Sequence, residues 1–250
     1  MNPEPNAPII VGAAAVQQRI DDPTVALEAM LLMRAALEAA ADDAGSRGLL
    51  DRGAVLLMTQ GTWRAANPAA VVAPWNPNVR SVVAEVGVLQ QTLLSRACAL
   101  VSSGVADVVL VCGGEAKYRA LQAQINGAPE AWVADTGTSG EPDERMTPAH
   151  EIITRPEIER GLRVPARQYA MIDTALRRAQ GLTPAEHIAA LAELWAGFST
   201  VAAGNPDAWS RHGVDPAVLA EPSARNPLLA WPYTKLHCSQ KVSFRSPFVA

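Results

Sequence analysis

Apolar residues recur along this chain with helical spacing in some stretches and as short continuous runs in others, and the changeovers mark its elements. Ile9 to Val16 is an apolar run containing Gly12. It predicts a first strand with a neighbouring backbone close to that glycine. Asp22-Pro23 has the form of a helix cap with proline at the first helical position. Thr24 to Ala44 follows as a long helix, with Leu27, Met30, Leu31, Leu37 and Ala41 on one side, and Gly45 ends it. Ala54 to Gln60 is the second strand. Asn67-Pro68 opens a short helix through Ala73, after which Pro74 and Pro77 break the chain and Trp75 to Asn78 forms a turn. Val79 to Val88 has the β-branched content of a third strand. Leu89 to Ser103 carries Leu89, Leu93, Leu94, Ala97, Cys98, Leu100 and Val101 on all sides, which predicts a helix buried in a core, stopped at Gly104. Val108 to Val111 is a continuous apolar run, the pattern of a parallel strand covered on both faces. Strands alternating with helices predict an α/β fold with a mostly parallel, layered sheet. The strand–helix–strand unit over Val79 to Glu115 is its centre.

The pattern changes after Ala116. Ala116 to Gln124 continues as a short helix, and Asn126 to Pro148 is polar and turn-rich, which predicts an exposed, mobile loop. Ala166 to Gln180 is helical and ends at Gly181. Thr183-Pro184-Ala185-Glu186 is a capping box with proline at N1. The helix it opens places Ile188, Leu191, Leu194, Trp195, Phe198 and Val201 on one face, and Asn205-Pro206 stops it.

Composition narrows the function classes. The net charge is −4 and the 21 Lys and Arg residues form no block, which argues against a nucleic-acid surface. The three cysteines, Cys98, Cys112 and Cys238, are an odd number without paired spacing, as expected for free thiols in a reducing cytoplasm. The acidic, proline-rich start over residues 1–8 is expected to be disordered and lacks a signal core. No apolar run approaches the roughly 20 residues of a membrane span. GAAAVQQR after the first strand lacks the further glycines of a dinucleotide fingerprint.

Val101 to Leu110 (VSSGVADVVL), followed by Cys112-Gly113-Gly114-Glu115, resembles the thiolase superfamily around its central buried helix. The resemblance reaches back to IIVGAAAV and forward through PAEHIAALAELWAGFSTVAAGNPDAW to NPLLAWPYTKLHCSQ, so it spans roughly residues 9 to 240. These later segments are similar to thiolase-like proteins of the acetyl-CoA acetyltransferase and sterol-carrier type. The resemblance implies the N-terminal half of a thiolase-like layered fold: an α/β domain over 9–115 and a helical loop domain over 116–228 that holds coenzyme A. A segment over 229–240 would then return to the sheet. It further implies acyl-CoA as ligand, acyl transfer in lipid metabolism, and a homodimer or a lipid-binding protein as partner.

In that family a nucleophilic cysteine sits at the N-terminus of the buried helix, where the positive helix end favours the thiolate. The corresponding turn here, Glu85 to Thr92, contains no cysteine. Cys98 lies two turns further in and reads as a packing residue. The Thr92 hydroxyl is expected to bond back within its helix. His237 and Cys238 are adjacent, so in an extended segment they point to opposite faces. His150, His187 and His212 lack partners at ligand spacing, and His187 reads as solvated. Gly113 and Gly114 suit a tight turn against substrate or, as the favoured reading, a simple turn, and Lys117, Tyr118 and Arg119 suit a phosphate-facing or, as the favoured reading, a solvated face. No catalytic residue or metal ligand is assigned on this reading, and cofactor-binding residues stay open.

The segment 241–250, KVSFRSPFVA, departs from the family pattern, which continues into an Ala-rich strand and a second repeat. It reads as unrelated sequence or as a genuine short variant, and Val108 to Val111 is expected to present a bare sheet edge. The expectation is therefore a thiolase-like protein without turnover. The alternatives are a non-catalytic partner subunit or scaffold of an acyl-CoA complex and an inactive gene fragment.

Overall fold

A computed structural model describes residues 7–127, 140–238 and 248–249. The chain divides into two compact units, one of residues 1–152 and 243–250 and the other of residues 153–242. The first is organised on β2 (Val55–Thr59), β3 (Arg80–Ala84) and β4 (Val109–Gly113). β2 lies in the middle and runs parallel to both neighbours, with Leu57 opposite Val82 on one side and Val111 on the other. Alternate residues of these strands face opposite layers, and nearly all are apolar, so both faces of the sheet bury hydrophobic surface.

On one face, α1 (Ala29–Asp43) and α3 (Ala69–Val72) pack Met33, Leu37 and Val72 against Leu56, Met58, Val83, Leu110 and Cys112. On the other, α4 (Gln90–Ser102) lays Leu93, Ala97 and Leu100 on Leu57, Val82, Val109 and Val111. A short helix α2 (Gly48–Arg52) leads into β2, and α5 (Lys117–Ile125) follows β4. This is the α/β layered fold that the hydrophobic runs predict.

Four features differ from the sequence expectation. The first strand shrinks to β1 (Gly12–Ala13), leaving Ile9, Ile10 and Val11 exposed. The close approach at Gly12 is made by helix α1: a β-carbon there would lie 2.1 Å from the Ala40 carbonyl oxygen. Helix α1 begins at Ala29 rather than Thr24, and its buried side centres on Met33, Leu37 and Ala40, so Leu27 and Leu31 are exposed. α4 is not a helix buried on every side. It has a single packing layer, so Leu89 and Cys98 are exposed, and its Arg96 pairs with Glu144 at 2.9 Å. Finally, Glu144–Met146 within the expected loop forms a strand, β5, parallel to β3, and the first compact unit therefore runs well past Glu115. Asp143 secures it by accepting hydrogen bonds from the Ser81 backbone N–H and hydroxyl at 2.7 and 2.8 Å. Residues 128–139 of that loop lie outside the described residues.

The expected bare edge of β4 is also corrected. A short strand of Phe248–Val249 pairs antiparallel with β4 on one side and β1 on the other. The rest of that segment, including Val242 and Phe244, lies outside the described residues.

The second unit holds α6 (Arg155–Glu159), α7 (Pro165–Ala179), α8 (Pro184–Gly204), α9 (Pro216–Ala220) and a hairpin of β6 (Leu228–Ala230) with β7 (Tyr233–Thr234). The segment expected to return to the main sheet is this hairpin, whose strands pair with each other around a cis Trp231-Pro232 bond. The buried Asn226 side chain holds it, donating to the Val218 carbonyl and accepting from the Leu236 N–H. α8 starts at the capping box: the Thr183 hydroxyl accepts from the Glu186 N–H, and the Glu186 carboxylate accepts from Thr183. Its buried residues, however, are His187, Ala192 and Ala196. Leu194, Phe198 and Val201 are 54%, 54% and 74% exposed, because α7 and α9 cover only part of the apolar face.

Candidate functional site

In open parallel sheets, ligands bind in the crevice beyond the carboxyl ends of the strands. Here that crevice is a cleft of about 530 Å³ at the ends of β2 and β4 and the start of α4. Thr59, Gln60, Gly113 and Glu115 line one side, and Gln90, Leu93 and Leu94 the other. The α4 N-terminus carries no side-chain cap, since Leu89 occupies the N-cap position. Its first backbone N–H groups therefore add a positive end to the cleft.

The glycines here are placed by close packing rather than by turn geometry. A β-carbon on Gly113 would meet the Thr59 hydroxyl at 1.9 Å, and one on Gly114 would meet Met33 at 2.8 Å. Neither residue has a positive φ. Beyond them, the Glu115 carboxylate accepts hydrogen bonds from the backbone N–H and the hydroxyl of Thr62, joining the loop after β2 to the loop after β4. A second, smaller cavity of about 180 Å³ lies against the same residues, lined also by Met30, Trp63 and Ala120. Arg119, expected on a solvated face, is buried there: its Nε donates to the Ala26 carbonyl at 2.9 Å, and its guanidinium lies 3.6 Å from Glu28. Tyr118 donates to Asp21, and Lys117 is exposed.

The cysteines are distributed away from the helix start. The turn from Glu85 to Leu89 ahead of α4 holds none, and Cys98 is exposed on the helix two turns in. Cys112 is fully buried on the α1 side of β4, where desolvation pushes its thiol far above the ordinary range. Thr92, in the first turn of α4, is exposed and makes no side-chain hydrogen bond among the described residues, contrary to the back-bonding expected of it.

The second unit contains a polar cluster that sequence reasoning missed. His187 is only 6% exposed, not solvated, and its Nε2 lies 2.8 Å from the Asp173 carboxylate on α7. Tyr233 faces the same carboxylate. Burial first, and then the Asp173 charge, push its hydroxyl from 10 up to about 12. His237 is also buried, with Nδ1 accepting from the Thr234 N–H at 3.0 Å, so the neutral ring carries its proton on Nε2, which has no hydrogen-bond partner among the described residues. Burial lowers its pKa and raises that of the adjacent, half-buried Cys238 thiol. No local signal marks His187: it shares a helical line with Leu191 and Leu194, and Leu194 is itself 54% exposed. Among the described residues no three His, Cys, Asp or Glu side chains group as a metal site would require.

No protein-family model matches this chain, and neither does any curated protein. Solved structures do. A monomeric SCP2-thiolase-like protein, type 1, from Mycobacterium smegmatis superposes with a TM-score of 0.71 at 23% identity, over 98% of this chain and 46% of its own. The Ltp2–ChsH2(DUF35) aldolase superposes with a TM-score of 0.61 at 17% identity, over 98% of this chain and 55% of its own. The chain thus spans about half the length of these relatives. With its parallel three-strand centre, its helices on both faces and this superposition, the chain has the thiolase-like fold.

Proposed function

We propose that the protein is a thiolase-like acyl-CoA-binding protein that does not carry out acyl transfer on its own. The observation that carries this reading is the strand-end cleft, whose one lining cysteine among the described residues, Cys112, is only 1% exposed. The cleft combines a wall of Leu93, Leu94 and Val111 with polar groups from Gln90 and Lys117 and the open α4 N-terminus. Such a surface suits a thioester carbonyl and its acyl group. Acyl transfer through cysteine needs a thiolate at that helix end, and Cys112 is held protonated by burial. Three free cysteines fit a reducing compartment such as the cytoplasm. No helix among the described residues is long and apolar enough to cross a membrane.

Calorimetric titration with acetyl-CoA, combined with mass spectrometry of the incubated protein, tests this. The expected result is saturable binding with no covalent acetyl adduct and no acetoacetyl-CoA cleavage. Turnover lost in Cys98→Ala would overturn the non-catalytic reading, and absence of any binding would overturn the ligand.

A second reading, a non-catalytic subunit of an acyl-CoA-processing complex, is favoured by the exposed Leu194, Phe198 and Val201 on α8. The aldolase relative carries two components in its name. Co-purification of a stoichiometric partner, lost in Phe198→Glu, would support it.

A further inference from the structure

The strand-end cleft and the smaller cavity share Thr62, Glu115 and Lys117 as lining residues. Lys117 is exposed, so the Glu115 carboxylate bound to the Thr62 N–H and hydroxyl is the hydrogen-bonded link at that boundary. The link is tightly seated. A β-carbon on Gly61 would meet Glu115 Oε1 at 2.0 Å and the Gly114 carbonyl oxygen at 3.0 Å. On its other side, the smaller cavity presents Ala29, Met30, Trp63, Ala116 and Ala120 together with the charged Glu28, Arg64 and Arg119. Its volume of about 180 Å³ corresponds to roughly six waters at about 30 Å³ each.

We propose that the Glu115–Thr62 link is a partition that limits the acyl group this protein accepts. With the link closed, an acyl chain is confined to the strand-end cleft, and medium or long chains meet a carboxylate whose desolvation is unfavourable. With the link removed, the chain enters the compartment walled by Met30, Trp63 and Ala120. This specificity role rests on the acyl-CoA reading above, and no bond is made or broken in it.

The test is a titration series of acetyl-, hexanoyl- and decanoyl-CoA against the full chain and its Glu115→Ala, Glu115→Gln and Thr62→Val variants. In the native protein, affinity should stop rising or fall between hexanoyl and decanoyl. Glu115→Ala should raise decanoyl affinity relative to acetyl by about tenfold or more, since burying two further methylenes already amounts to that. Glu115→Gln keeps the side-chain volume but removes the charge whose desolvation opposes a long chain, so it should give a gain smaller than that of Glu115→Ala. Thr62→Val, which retains the backbone N–H contact, should give a smaller gain and keeps the test decisive if Glu115→Ala does not fold. Adding Ala120→Leu, which fills the inner compartment, should abolish the gain. Binding of all three ligands with the same chain-length preference in every variant would overturn the partition and leave the acyl-CoA reading standing. Failure of every acyl-CoA to bind would overturn both.

Discussion

Tyr233 and His237 belong to the same short segment, and burial moves their pKa values in opposite directions. Tyr233 is an acid whose folded pKa is raised from 10 to about 12. Its contribution to stability is therefore complete below pH 10 and is lost as pH rises through about 12. His237 is a base whose pKa is lowered from 6.5 by burial, so its contribution is present above 6.5 and lost as pH falls through the lowered value. The prediction is that Tyr233 is the last tyrosine to ionise in an ultraviolet titration, and that Tyr233→Phe removes that final step. A second expectation concerns Gly12, where the α1 backbone at Ala40 occupies the space a β-carbon would need. Backbone cannot rotate out of the way as a side chain can, so Gly12→Ala should cost about 1–3 kcal/mol in chemical denaturation, the usual range for overpacking. An unchanged denaturation midpoint would mean that β1 detaches from α1 at no cost.

At the scale of elements, the chain uses local and tertiary signals unevenly. α8 opens on a complete capping box that Thr183 and Glu186 make together. Thr183→Ala should therefore lower the stability of the second unit by about 1 kcal/mol, the usual worth of such a cap. Helical circular dichroism during thermal unfolding of the full chain and its variant is the readout. α4 shows the other side. Its composition reads as apolar all round, but Leu93, Ala97 and Leu100 are the residues buried against the sheet, with Leu94 and Val101 partly covered beside them. Side chains on its other flanks, such as Gln91, Ser95 and Cys98, are exposed, and Arg96 is half-buried beside Glu144. A helix that lies on a sheet buries one stripe of itself. The stripe is chosen by the spacing of 93, 97 and 100, not by how many apolar residues the helix carries in total.

Over the whole molecule, the first unit depends on a sheet closed by residues from the far end of the chain. Phe248–Val249 stands between β1 and β4, and β1 has no other strand partner among the described residues. Deleting residues 248–250 should free β1 and bare the β4 edge, a row of unpaired N–H and C=O groups that templates association. Light scattering should then report concentration-dependent aggregation that the intact chain does not show. Equal scattering from both proteins would mean that this pairing does not protect the edge.

Local pattern alone determined β2, β3 and β4 to within a few residues, the helices that stop at Gly104 and Gly181, and the absence of a cysteine at the start of α4. Each rests on short-range physics: runs of β-branched residues, glycine and proline at helix ends, and a capping box read within four residues. The tertiary structure decided the rest. β5 carries no strand-like run, because Glu144, Arg145 and Met146 are recruited by the edge of β3 and by the Asp143–Ser81 contact. Glu115 and Thr62 lie 53 residues apart and Asp173 and His187 lie 14 apart, so their pairing appears in no local period. His187 is buried where it meets Asp173 of α7 and the Trp231 ring of the hairpin, while Phe198, further along the same helix, stays exposed. Hydrophobic periodicity says which residues a helix has to bury, but only the neighbouring elements decide which of them are covered.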